Sequence, residues 1–301
     1  MEIPKRGIEI RVREKEGIAR EHWPLTRGVP LPQGRVKGVG GLWLEDVEGR
    51  AKAAQLRVLG RWPDDSLKWV LVDFQGEVEA GGESIYLLKH GEVGPEVEAG
   101  GMEVQIVEGE DRVEVSTGVM RFGIGKEAFA LFDGVELGRR DQGVFVVETE
   151  VMGRGGGDAW AKISESDFAG GTTRRVYGMG GECLASAGGE EYEVEVEEAG
   201  PLRAVICCKG AYESTAPMHH YAGYRPLRFA TRIYAYAGQA FVRVVHTIIM
   251  TCNPREVEIE QLGVRVPLLA DGGGRIGVEA GRVMEGALAA GRYALLSQQT
   301  D

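Results

Sequence analysis

The chain has 301 residues, 43% hydrophobic and 27% charged, with a formal net charge of -11. That is the composition of a globular protein of about two domains, and its negative charge argues against nucleic acid and anionic membranes as partners. The 46 glycines against 11 prolines, with no Gly-X-Y period, exclude a collagen-like chain and fit many short strands joined by tight turns.

The first 17 residues, MEIPKRGIEIRVREKEG, are charged throughout and lack the apolar segment of a signal peptide. No run of about 18 apolar residues occurs, so no membrane span is expected. A cytoplasmic location is the expectation. Ile8 to Val12 alternates as a strand should, and so does Gln55 to Val58. Next comes Arg61-Trp62-Pro63-Asp64-Asp65-Ser66-Leu67-Lys68-Trp69, which runs into Val70-Leu71-Val72-Asp73-Phe74. Pro63, Asp64 and Ser66 are turn residues. Beyond the turn, Trp69, Leu71 and Asp73 share one strand face, and Lys68, Val70, Val72 and Phe74 share the other. Trp62 and Trp69 are expected in the core of the first domain.

Together with Leu25 to Gly34, "LTRGVPLPQG", this stretch resembles the N-terminal barrel of YetA-like proteins and fungal exo-rhamnogalacturonan lyases, which show "TRGVPxPxG" followed by "RWPDGSxKW". Asp65 stands where those proteins have Gly. A turn needing φ > 0 there favours Gly, and Asp tolerates the same conformation better than most residues.

Gly91 to Gly101 is Gly/Pro-rich and reads as a connection. It divides a small N-terminal β-barrel, residues 1–94, from a β-sandwich, residues 102–301, so the expected class is all-β. Strands are predicted at Val104–Val107, Arg112–Thr117, Val119–Ile124, Val144–Val151, Arg203–Gly210, Leu227–Ala237 and Ala240–Met250. Gly153 to Gly181 reads as irregular, with a short helix near Glu165. Glu191 to Glu197 alternates Tyr192, Val194 and Val196 with four glutamates, the pattern of a half-buried strand with a wet acidic face. The segments "EEAGPLRAVICCKGAY" and "LRFATRIYAYAGQAFVRVVHTIIMT" are similar to the central sandwich of the same family. Family members continue into a helical (α/α) toroid, whereas this sequence ends at "LLSQQTD". The expectation is therefore an N-terminal portion.

The resemblance implies β-elimination on a uronate-containing, hence acidic, oligosaccharide in the intact protein. The alternative is a non-catalytic carbohydrate-binding or architectural module. Elimination needs a base, a cation for the carboxylate and an acid for the leaving oxygen. Met218 to Pro226 is rich in such groups. His219, His220, Tyr221 and Tyr224 are the catalytic candidates, and Arg225 is the candidate for pairing with a carboxylate. They are equally the makings of an edge loop shaped by Pro217 and Pro226. An anionic substrate also needs local positive charge, for which Arg174 and Arg175, or Arg139 and Arg140, are candidates; solvated loop charge explains them as well. His246 shares a face with Val242, Val244 and Ile248, as a core histidine would.

The glycine clusters lack the strand–loop–helix setting of a phosphate site, so no nucleotide is expected. Neither GxSxG nor HExxH occurs. Cys183, Cys207, Cys208 and Cys252 show no metal spacing. They read as buried free thiols, with Cys207 and Cys208 on opposite strand faces. No metal and no cofactor is expected, and oligomeric state is left open.

Overall fold

The computed structural model describes residues 4, 6–92, 94, 95, 97, 103–141, 144–152, 157–169, 172–175, 182–185, 191–214, 225, 227–254, 257–267, 274–279 and 283–288. Among these the regular structure is antiparallel strand, apart from one 3-10 turn at Val39–Gly41.

The first seven strands are β1 (Ile8–Arg13), β2 (Arg20–Pro30), β3 (Leu42–Asp46), β4 (Ala51–Lys52), β5 (Ala54–Arg61), β6 (Leu67–Val78) and β7 (Glu83–His90). They form two sheets, ordered β1-β7-β3-β4 and β2-β6-β5. The sheets enclose one core, built on Ile10, Val29, Leu44, Leu67, Val70, Val72, Phe74 and Leu88. Alternation explains the choice of face. Val70, Val72 and Phe74 point inward, opposite Val29 and Leu25 on β2 and Val58 and Leu56 on β5.

The turn before β6 is a stitching device. Asp65 has φ +64°, the left-handed conformation that Gly otherwise supplies. Asp64 Oδ1 accepts hydrogen bonds from the Ser66 N–H (3.1 Å) and hydroxyl (2.6 Å). The fully buried Ser66 also accepts the Gly34 N–H at 2.9 Å. Leu31 N donates to Lys68 O, and Leu67 N to Val36 O. The two signature segments thus hold each other through paired backbone groups.

The tryptophans depart from expectation. Trp69 is 41% exposed, and Trp62 is half-buried, donating its indole N–H to Leu31 O at 2.9 Å with Lys68 Nζ 4.7 Å from its ring centre. The face shared by Trp69, Leu71 and Asp73 is the outer face of the barrel sheet. The second domain reaches this face at Asp73, through Arg203, while Trp69 stays largely in solvent.

The remaining strands are β8 (Gln105–Glu108), β9 (Arg112–Ser116), β10 (Met120–Gly125), β11 (Val135–Asp141), β12 (Val144–Met152), β13 (Asp158–Ala169), β14 (Thr172–Arg175), β15 (Glu182–Ala185), β16 (Glu193–Ala199), β17 (Arg203–Ala211), β18 (Glu213–Ser214), β19 (Leu227–Tyr236), β20 (Val242–Met250), β21 (Val257–Arg265), β22 (Gly274–Glu279) and β23 (Val283–Leu288). They make sheets ordered β12-β11-β10-β9-β8, β16-β17-β19-β20 and β14-β13-β15-β18, with β21 also on β13, and a β22-β23 hairpin. One core joins Val113, Val115, Phe122 and Phe129 to Ile206, Cys208, Phe229 and Ile233, and to Ala159, Ala161 and Ile163. The all-β reading, barrel then sandwich, is what the structure shows.

Glu165 is a strand residue, not a helical one. It lies in β13, paired with Val257 of β21. Ala159, Ala161 and Ile163 alternate into the core, and a partner nearly one hundred positions away satisfies the backbone. That distant pairing overrides the short helix expected near Glu165. The glutamate row on β16 is less uniform than its period suggests. Glu193 and Glu195 are exposed, but Glu197 receives Arg232 Nε and Nη2 at 2.8 Å each. A bulge between Val196 and Glu198 then turns Glu198 inward.

Glu198 belongs to the joint between the domains. Arg203, 5% exposed, donates Nε to Glu198 Oε2 at 2.9 Å and Nη1 to Thr26 Oγ1 at 2.8 Å. Its Nη1 also lies 2.6 Å from Asp73 Oδ1. Arg57 Nη2 reaches Glu198 Oε1 at 2.6 Å. Beside this cluster Gln55 accepts the Leu202 and Arg203 N–H groups and donates to Arg203 O. Gln75 donates to Ala237 O, Gln239 to His22 O, and Trp23 packs on Phe241 with centroids 5.2 Å apart. Two neighbouring sheets therefore meet through a buried polar joint in which most donors and acceptors are paired; Asp73 Oδ2 is the exception among the atoms of this cluster.

Candidate functional site

Of the loop predicted to carry chemistry, His219, His220, Tyr221 and Tyr224 lie outside the described residues. Arg225 is described. Its Nη2 donates to Glu213 Oε1 at 2.8 Å, and Nη1 lies 3.1 Å from Glu191 Oε1. Glu191 is shared with Arg228 at 2.7 Å. Arg225 O accepts the Thr251 hydroxyl. The guanidinium therefore sits where the starts of β16 and β18 meet the end of β20, balanced by two protein carboxylates. A substrate carboxylate would have to displace one of them.

Arg174 and Arg175 lie on β14, across from Asp167 and Ser166 of β13. They are strand residues, and their side chains lie outside the description. Arg139, on β11, is 3.5 Å from Glu148 at the exposed surface.

His246 is the core histidine its strand face predicts. Nε2 bonds the Tyr212 hydroxyl and Nδ1 the Thr231 hydroxyl, both at 2.7 Å. The ring stacks on Phe229 at 5.7 Å between centroids. Tyr212 and Thr231 are fully buried. With one ring nitrogen donating and the other accepting, the neutral imidazole is satisfied, and burial holds its pKa below the usual value. Burial also raises the Tyr212 hydroxyl. This trio is suited to tying the end of β17 to β19 and β20, and it leaves neither ring nitrogen of the half-buried His246 uncommitted.

Cys207 and Cys208 are free, fully buried and on opposite faces of β17. Burial lifts their pKa values to about 11 and about 12 respectively, so both stay as thiols. Among the described residues no group of three His, Cys, Asp or Glu is placed to hold a metal, and no helix is long and apolar enough to cross a membrane.

What sequence reasoning missed is the bare indole of Trp69. A Cβ added at Gly28 would lie 3.8 Å from this ring, and its cross-strand neighbours are Pro30 and Gly60. The available signal was the flanking pattern: Gly28 and Gly60 leave the ring no large side chain to pack against. Trp69→Ala is accordingly expected to cost about 1 kcal/mol or less in urea unfolding, against the roughly 3–5 kcal/mol of a buried aromatic.

Residues 11–84 match the family model of a PcRGLX-like N-terminal RIFT barrel domain. Residues 104–272 match that of a PcRGLX-like protein central beta sandwich domain. The two matches cover most of the chain and follow the order of its two cores. No curated protein matches the chain.

Proposed function

The chain belongs to the PcRGLX-like protein family, and on that premise we propose that it is the N-terminal portion of a polysaccharide-lyase-like protein acting on a uronate-containing oligosaccharide. The observation that carries this reading is how the signature residues are used. Asp64 and Ser66 stitch loops, while Asp73 and Arg203 lock barrel to sandwich. They make a rigid support on which a substrate cleft can be completed. Elimination at C5 of a uronate needs an exposed base and an uncommitted cation. Among the described candidates, His246 has both nitrogens engaged and Arg225 faces two glutamates. We therefore place the base and acid outside the described residues, which leaves His219, His220, Tyr221 and Tyr224 to the test below.

The test is ultraviolet absorbance of the unsaturated uronate product, with the purified chain and acidic rhamnogalacturonan oligosaccharides. The expected result is no turnover. Sustained product formation by this chain alone would overturn the assignment and promote the His219–Arg225 loop to a catalytic one.

A non-catalytic sugar-binding role is favoured by one specific observation, the exposed Trp69 ring beside glycine. Aromatic rings with a free face stack on the apolar face of sugar rings, and the large exposed Leu59 lies nearby on the β5 bulge.

A further inference from the structure

The outer face of the barrel sheet is kept bare around Trp69. β6 is the central strand of β2-β6-β5, and Trp69 lies on it between Pro30 of β2 and Gly60 of β5. Two residues on, Leu71 lies between Gly28 and Arg57. Glycine weakens a strand interior, and where it stands there it marks a bulge, a close backbone approach or a ligand. Neither Gly28 nor Gly60 has a positive φ, so the backbone conformation does not demand glycine. Crowding does not demand it either. A Cβ at Gly60 would meet nothing within 4 Å, and one at Gly28 would be in ordinary contact with the Trp69 ring at 3.8 Å. Gly60 does sit at the β5 bulge, but the glycine form of a bulge uses the left-handed conformation that Gly60 lacks.

The indole therefore leans towards Gly28, and the space above Gly60 is open. Exposed Leu59 extends the apolar border on β5. A flat face of this kind cannot enclose a compact apolar ligand. It can stack one face of a ring whose other face keeps its water. A pyranose is such a ring, with C–H groups on its face and hydroxyls at its rim. The charges select a neutral one. Arg57 Nη2 lies 2.6 Å from Glu198 Oε1, and Arg203 meets Glu198 and Asp73. Two arginines are thus balanced by two carboxyls. Arg61 donates to Lys37 O and Asp65 O, with Asp65 Oδ1 3.6 Å away. Both arginines of β5 are committed. The part-exposed Arg57 offers its remaining N–H groups to hydroxyls, not a free charge to a carboxylate.

We infer that the Trp69 face is a stacking subsite for a neutral pyranose residue, with Gly28 and Gly60 as the positions that keep it open. This rests on the carbohydrate reading above and assigns a neutral unit, not an acidic one, to this face. Trp69 is the platform, Leu59 its apolar border and Arg57 the donor to ring hydroxyls.

The experiment is a titration of the full chain with galactobiose and with digalacturonate, followed by tryptophan indole N–H and backbone amide shifts. Expected are saturable shifts of the Trp69 indole and the Gly60 amide with galactobiose, and smaller ones there with digalacturonate at the same concentration. Gly60→Thr fills the open space without a clash. It should leave the urea midpoint unchanged or raised, since Thr suits a strand. It should also weaken galactobiose binding about tenfold, as should Trp69→Ala, the upper end for one stacked aromatic. A lowered midpoint for Gly60→Thr would show that the fold itself needs glycine there and would overturn the inference. Larger digalacturonate shifts at Trp69 would overturn the neutral assignment. If both variants bind as the parent does while sugar shifts other amides, the subsite is wrong and the carbohydrate reading stands. If neither sugar shifts any signal of the chain, both fail.

Discussion

Replacing Arg203 by Met is expected to destabilise the chain by about 3–5 kcal/mol, the range for removing one partner from a buried ion pair. Asp73 is 3% exposed and Glu198 9%. Without the guanidinium, among the described residues Asp73 has no cation in contact and Glu198 keeps Arg57. Asp73 Oδ2 already has no hydrogen-bond partner among the described residues, and burial pushes its carboxyl above the usual range despite Thr26 and Arg203. Adding Asp73→Leu should therefore recover part of the loss. The pH dependence has a definite sign. A carboxyl whose folded pKa exceeds its unfolded value favours folding when protonated, and that advantage disappears as pH rises through the folded value. The cost of Arg203→Met should thus be smaller at acid pH than at neutral pH. Urea unfolding read by tryptophan fluorescence checks this, since Trp23 packs against Phe241 beside the joint. A cost below about 1 kcal/mol would show that the cluster is solvated, like an ordinary surface pair.

Phe229→Ala is expected to cost about 3–5 kcal/mol through the cavity it opens. Phe229 is 1% exposed and touches Phe129, Tyr212 and His246. The variant also tests the histidine. In the parent, burial holds the folded His246 pKa below its unfolded value near 6.5. The unfolded chain then binds the proton first, so stability falls as pH drops below about 6.5 and towards the folded value. Above that window His246 adds no slope. Water admitted by the Phe229→Ala cavity should raise the folded pKa and flatten the slope. Imidazole shifts followed by NMR from neutral to acid pH report it; an unchanged His246 titration would contradict the packing described.

The strands were legible because alternation is local. Val70, Val72 and Phe74 announce a buried face, and the β19–β20 hairpin follows from the glycine turn at Gly238, φ +66°. What was not legible depends on long-range partners. Nothing near Glu165 signals β21, and nothing near Asp73 signals Arg203. Trp69 was misplaced for the same reason: its face is apolar, but which part a second domain covers is a tertiary fact. Of the candidate site, the sequence identified residue types but not their commitments. Arg225 reads as a free fork until Glu191 and Glu213 are placed around it. His90 is about fifty positions from Arg35 and Lys37 and comes beside them because β7 ends next to the stitched segment.

The proposed role, a scaffold for acidic-sugar recognition, is tested most directly by calorimetric titration of the chain with an acidic rhamnogalacturonan oligosaccharide and its carboxyl-reduced counterpart. The account predicts saturable binding of the acidic form that weakens with added salt, and weaker binding of the reduced form. Equal affinity for both, or no heat from either, would contradict it.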